Sequence, residues 1–196
     1  MRLSDTEFKA MNNPVRRFCQ RNLEFPAFKR MGLTEENRDI LEIGCGSGYG
    51  AVLLSELNPK SYAGIDVMPE QIELALAVAQ QHRLSNYEFL VGDATDLSCF
   101  PDQSKDVVVI FGILHHIPQW REAVRECYRV LRKGGRLFVE EPDGGAITKW
   151  DRVFQWGHPQ EALFSLRDLE QNMVAGGFTI LKRWRGLAFG VYAAQK

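Results

Sequence analysis

Five short apolar runs separated by stretches of helical periodicity constrain this chain more than any other feature. They are Asp39-Ile40-Leu41-Glu42-Ile43, Tyr62-Ala63-Gly64-Ile65, Tyr87-Glu88-Phe89-Leu90-Val91, Val107-Val108-Val109-Ile110-Phe111 and Arg136-Leu137-Phe138-Val139. Such alternation marks βαβ units around a mostly parallel sheet. The fourth run is apolar at every position, as expected of a central strand covered on both faces. Between the runs, Pro69 opens a helix with Ile72, Ala75, Leu76 and Ala79 on one face. After Pro118, a longer stripe runs through Trp120, Ala123, Val124, Cys127, Tyr128 and Leu131, and Gly134-Gly135 stops it. Ser165-Leu166-Arg167-Asp168 resembles a capping box, and Leu166, Leu169, Met173 and Val174 continue to Gly176-Gly177. Two last runs, at 178–181 and 187–193, lie too close together for a helical crossover and should pair antiparallel.

At 196 residues and 45% hydrophobic, the chain suits one domain with one sizeable core. Residues 1–37 read as a helical appendage. Its helix starts at Asn13-Pro14 and has Val15, Phe18, Cys19 and Leu23 on one side, Arg16, Arg17 and Arg21 on the other, and Pro26 as an interruption. Residues 142–164 form a long connection of the kind that serves as a lid. It carries Trp150, Phe154, Trp156 and Phe164, while Met11, Phe18, Phe25, Phe28 and Met31 line the N-terminal piece. Both pieces are candidates for an acceptor pocket, although Trp150, Val153, Phe154 and Gly157 also fit one short helix packed on the sheet.

Lys+Arg 24 against Asp+Glu 25 gives a formal net charge of -1, which argues against general nucleic-acid binding. Short basic groups such as Arg16-Arg17 and Lys182-Arg183-Trp184-Arg185 read as solvated faces. No apolar run is long enough to span a bilayer, and acids stand where a signal peptide needs apolar residues. Four dispersed cysteines, with no Cys-x-x-Cys pair, suit reduced thiols in the cytoplasm better than a zinc site or a disulfide framework. No metal is expected, and a monomer and a homodimer fit equally well.

The most informative segment is Leu41-Glu42-Ile43-Gly44-Cys45-Gly46-Ser47-Gly48-Tyr49-Gly50, which leaves a strand and enters a helix. Glycines there permit a tight turn and close ligand approach. The loop alone fits a bare turn, and Gly46-x-Gly48-x-x-Ala51 also matches the dinucleotide fingerprint of an NAD-dependent oxidoreductase. Two acids extend the pattern. Asp66 follows the second strand, where a carboxylate can accept hydrogen bonds from ribose hydroxyls, and Asp93 follows the third, where it can meet an exocyclic amine. Either alone would read as a turn former; three spaced features at successive strand ends point to one crevice.

With these residues in place, the sequence resembles the class I S-adenosylmethionine-dependent methyltransferases over nearly its whole length. The acid-x-Gly-x-Gly-x-Gly motif stands as Glu42-Ile43-Gly44-Cys45-Gly46-Ser47-Gly48. Asp66 corresponds to the ribose acid, Val67-Met68 to the adenine-packing pair, and Asp93-Ala94 to the adenine-edge pair. Phe111-Gly112-Ile113-Leu114-His115-His116-Ile117 and Leu131-Arg132-Lys133-Gly134-Gly135-Arg136-Leu137 are similar to the stretches flanking the family's fourth and fifth strands. The nearest subgroup is the small-molecule type of ubiquinone and menaquinone biosynthesis. The resemblance implies an α/β, doubly wound, Rossmann-like, mostly parallel seven-stranded sheet with a C-terminal antiparallel hairpin and N-terminal helices. It implies S-adenosyl-L-methionine as cofactor and a small-molecule methyl acceptor. A non-catalytic module that keeps the cofactor site is the remaining alternative.

Glu42 is expected to face the cofactor's ammonium, directly or through water, and to repel a dinucleotide pyrophosphate. In-line transfer from a sulfonium needs proximity first, worth roughly 7–11 kcal/mol, and a base only if the acceptor must lose a proton. His115 and His116 are the candidate bases, each equally readable as a packed or backbone-bonded imidazole. His158 is a weaker candidate. Glu140-Glu141 ends the fifth strand at the same rim, and Glu141 reads better as a solvated strand end. No Asn-Pro-Pro-Tyr-type tetrapeptide follows the fourth strand, which favours small molecules over DNA bases or protein amides.

Overall fold

The computed structural model describes residues 12–154 and 158–196. Met11, Trp156 and Gly157, named above, lie outside the described residues. Asn13 caps helix α1 (Pro14–Cys19) through a hydrogen bond that its side chain accepts from Arg16 N at 2.8 Å. A π-helical stretch, Gln20–Glu24, leads without a break into α2 (Phe25–Met31). Strands β1 (Asp39–Ile43), β2 (Ser61–Asp66), β3 (Tyr87–Val91) and β4 (Lys105–Phe111) follow, with α3 (Tyr49–Leu54) and α4 (Pro69–Gln81) between the first three. The chain continues through α5 (Trp120–Val130), β5 (Leu131–Pro142), α6 (Gly144–Phe154), α7 (Leu166–Ala175), β6 (Thr179–Arg185) and β7 (Phe189–Gln195).

The strands form one seven-stranded sheet in the order β3-β2-β1-β4-β5-β7-β6. The first five are parallel, and β7 pairs antiparallel with both β5 and β6. Side chains alternate between faces along each strand, so the sheet separates two apolar layers. Leu41, Ile43, Val108, Ile110, Leu137 and Val139 pack with Trp120, Val124 and Cys127 of α5 and Leu169 and Met173 of α7. Ile40, Val107, Val109 and Phe138 pack on the other face with Ala51 and Leu54 of α3, Ile72 and Ala75 of α4, and Phe25 and Phe28 of α2.

Three local expectations change. Helix α5 stops at Val130, and Leu131 already belongs to β5, paired with Lys105 ahead of a register shift. Residues 92–104 join β3 to β4 by turns rather than by a helix. The N-terminal helix is also rotated from its amphipathic reading. Val15, Phe18 and Leu23 face solvent, while Arg16 turns inward, pairs with Glu24, and donates to the Phe111 carbonyl at 3.3 Å. The π-helical stretch re-phases the helix at that point. Pro26, instead of interrupting, occupies the first turn of α2, where its missing N–H costs nothing.

Candidate functional site

Strand β1 lies between β2 and β4, and the connections leaving β1 and β4 diverge to opposite sides of the sheet. In open parallel sheets such a switch point opens a crevice beyond the carboxyl ends of the strands. Here the crevice is a pocket open to solvent. Its walls include Gly44, Cys45, Gly46, Asp66, Val67, Met68, Asp93, Ala94 and Phe111, so most of the expected cofactor residues converge on it.

The loop after β1 owes its shape to backbone that other residues resist: φ is +68° at Gly44, +50° at Gly46 and +80° at Gly48. At Gly48 space is limiting as well, because a Cβ would sit 2.8 Å from Ala75 Cα on α4. Asp66 ties loop and sheet together, accepting from Gly46 N at 3.0 Å and Met68 N at 2.9 Å. Burial pushes its carboxyl up, against these two backbone donors. Asp93 accepts from Thr95 N at 2.8 Å and Thr95 Oγ1 at 2.7 Å through Oδ1, so it does form a turn while also lining the cavity.

Glu42 does not reach the cavity. It is 1% exposed, takes a 2.6 Å hydrogen bond from Tyr62 Oη, and lies against Gly50, where a Cβ would collide with it. Burial pushes its carboxyl up to about 8, so at neutral pH it is largely protonated. The direct form of the expected contact with an ammonium, and the repulsion of a pyrophosphate by an ionised Glu42, therefore have no basis in this geometry. Gly48 and Gly112 shape the loops behind the lining rather than the wall itself.

The two histidines after β4 separate. His116 lines the cavity and its Nδ1 is buried with no hydrogen-bond partner. His115 points away and its Nδ1 sits 2.8 Å from Glu141 Oε2. Burial lowers His115 to about 3 and takes His116 well below the usual imidazole range, so neither is charged at neutral pH. Glu141 is fully buried rather than solvated. Its Oε1 accepts from Ile113 N at 2.8 Å and Leu114 N at 2.7 Å, which fixes the loop after β4, and burial pushes it up to about 8. Glu140 is buried too.

The aromatic residues expected around an acceptor mostly pack elsewhere. Phe25 and Phe28 are core, Phe164 meets Trp120 at 4.5 Å, Trp150 meets Phe189 at 5.3 Å, and Phe18 and Val153 are exposed. No described residue of 142–164 lines the cavity, although His158 lies 4.7 Å from His116, ring centre to ring centre. The lining instead includes residues that sequence reasoning missed: Arg16, Gln20, Gln71, Thr95, Ile117 and Gln119. Gln71 had a visible signal, a polar side chain beside the apolar stripe of α4. Arg16 had none, since an arginine on an amphipathic helix reads as solvated.

Fold and site together define an open doubly wound α/β protein with its ligand crevice at the switch point. The chain belongs to the methyltransferase-domain family, whose family model matches residues 41–139. It is 34% identical over 139 residues, 70% of this chain and 49% of the relative, to the phthiotriol/phenolphthiotriol dimycocerosates methyltransferase of Mycobacterium leprae (strain TN). It is 29% identical over 122 residues, 61% of this chain and 51% of the relative, to the demethylmenaquinone methyltransferase of Listeria welshimeri. The chain thus spans about half the length of these curated relatives. A SAM-dependent methyltransferase from Aquifex aeolicus shares the fold, with a TM-score of 0.78, 20% identity and full coverage of both chains.

Proposed function

We propose that this chain transfers a methyl group from S-adenosyl-L-methionine to a small, largely apolar acceptor. The observation that carries this reading is the convergence of the glycine loop, Asp66 and Asp93 on one cavity wall. Asp66 would accept from the ribose hydroxyls, Asp93 and Ala94 would meet the adenine edge, and Val67 and Met68 would pack on its face. The Gln71 side chain gives a further sign of fit: it is buried in the wall, and its Oε1 lacks a partner that a bound nucleoside's donor would supply.

When bound, S-adenosylmethionine supplies an activated methyl on a sulfonium, and the protein's own part is placement and exclusion of water. Phe111, Ile113, Ile117 and Pro118 supply apolar lining, and Arg16 and Gln20 of the N-terminal segment line the same cavity. His116 is the imidazole that an acceptor would meet, and His115 positions that turn through Glu141. The names of the relatives, a dimycocerosates and a demethylmenaquinone methyltransferase, support an apolar acceptor. Residues 1–196 would form one single domain, with 1–37 as part of it. A cytoplasmic monomer or homodimer without nucleic-acid affinity fits the net charge of -1 and the four unpaired cysteines. Among the described residues no helix is long and apolar enough to cross a membrane.

Calorimetry tests the reading directly. S-adenosylhomocysteine and S-adenosylmethionine should bind with one site per chain and NAD should not compete. Competition by NAD alone would restore the oxidoreductase reading. Binding without methyl uptake across a panel of quinones, phenols and fatty acids would favour a non-catalytic module.

A further inference from the structure

His115 and His116 leave the end of β4, and His158 arrives from beyond α6, yet the three rings converge beside the cavity. Their ring centres are 4.1, 5.3 and 4.7 Å apart, with interplanar angles of 41°, 45° and 33°, so no pair lies in a parallel stack. One ring nitrogen from each lies within 4.8 Å of the other two. A zinc-type ion with bonds of about 2.0–2.1 Å to imidazole, at tetrahedral angles, holds its donor nitrogens about 3.3 Å apart. Binding an ion would draw the three nitrogens from within 4.8 Å of one another to that spacing.

The surroundings favour a cation as well. Nδ1 of His115 lies 2.8 Å from Glu141 Oε2, and Nδ1 of His158 lies 2.6 Å from Asp151 Oδ1. A carboxylate behind an imidazole orients the far nitrogen toward a metal and makes it a better donor. His116 has Nδ1 buried without a partner, an arrangement that costs about 1–3 kcal/mol unless something occupies it.

We propose that His115, His116 and His158 form a binding site for one divalent transition-metal ion of the zinc class, with Glu141 and Asp151 as the groups that orient two of the ligands. Imidazole donors suit zinc, cobalt, nickel, copper and iron rather than magnesium or calcium. Because His116 also lines the cavity, an ion held there would adjoin the acceptor side and would polarise an oxygen of a hydroxyl, enol or carboxylate that reached it. The absence of cysteine pairs does not bear on this site, which uses none. The inference rests on side-chain geometry and is independent of which nucleotide the glycine loop binds.

Chelator-treated protein titrated with Co²⁺ and then Zn²⁺ tests it, read by elemental analysis and by the visible absorption of cobalt. One equivalent per chain, with a band of four-coordinate cobalt that Zn²⁺ abolishes, is the expected result. His116→Ala and His158→Ala should each lose that equivalent. Asp151→Asn, the milder variant, should bind about 10–100-fold more weakly while staying folded by circular dichroism. His82→Ala, which alters the one histidine outside the cluster, and Cys99→Ser should bind as the unaltered protein does. Protein that binds S-adenosylhomocysteine but takes up no stoichiometric cobalt overturns the metal site and leaves the methyl-donor reading standing. Cobalt uptake that survives both His116→Ala and His158→Ala overturns it equally.

Discussion

Glu42→Gln separates the structural role of this buried acid from the ligand-facing role that its motif suggests. In the folded protein the carboxyl is 1% exposed and titrates near 8, against about 4.5 in an unfolded chain. Between those two pH values the folded state holds a proton that the unfolded state has lost, so stability must fall as pH rises. At about 1.4 kcal/mol per pH unit this amounts to about 5 kcal/mol as a ceiling, fully present below pH 4.5 and gone above pH 8. Glutamine keeps an oxygen for the Tyr62 hydroxyl, matches the shape beside Gly50, and does not titrate. The variant should therefore match or slightly trail the unaltered protein near pH 5 and overtake it by several kcal/mol near pH 8. Urea unfolding at pH 5, 6, 7 and 8 measures this, and taking the difference between the two proteins cancels the parallel contributions of Glu140 and Glu141. Stability curves that stay parallel across this range would refute the reasoning, since they would mean that the Glu42 carboxyl is solvated or already ionised in the fold.

Asp66→Ala should weaken S-adenosylhomocysteine binding at least about 100-fold, since two hydrogen bonds to a charged group at about 1.5–3 kcal/mol each are worth about 3–6 kcal/mol; calorimetry checks it, and unchanged affinity would remove the ribose assignment. Gly48→Ala meets Ala75 Cα at 2.8 Å with φ at +80°, so it should cost about 1–3 kcal/mol of stability, read by urea unfolding, and weaken the same ligand by displacing the loop. Trp120→Ala removes a ring buried between α5, the sheet and Phe164; a loss of about 3–5 kcal/mol in urea unfolding is expected, with a loss below 1 kcal/mol arguing against that packing.

What could be read from the chain alone was whatever depends on local periodicity and on loops whose backbone admits few residues. Apolar runs of four to seven residues specify strands, and a run apolar throughout, such as Val107 to Phe111, specifies a central one because water can reach neither face. Gly44, Gly46 and Gly48 announce a tight loop because few other residues accept those dihedral angles, and acids at successive strand ends mark a crevice because parallel strands deliver their ends to one side. Tertiary structure alone decided what depends on partners distant in sequence. Glu42 and Glu141 stand in segments that read as ligand-facing and solvated, yet the Tyr62 hydroxyl and the backbone of residues 113–114 take them into the interior. Arg16 lies on the charged side of an amphipathic helix, but a π-helical stretch, Glu24 and the Phe111 carbonyl turn it over the cavity. His158 meets His115 and His116 only because the chain returns past the end of β4 some forty residues later. Side-chain direction and protonation follow from what packs against a residue, and packing across the sheet leaves no trace in local sequence pattern.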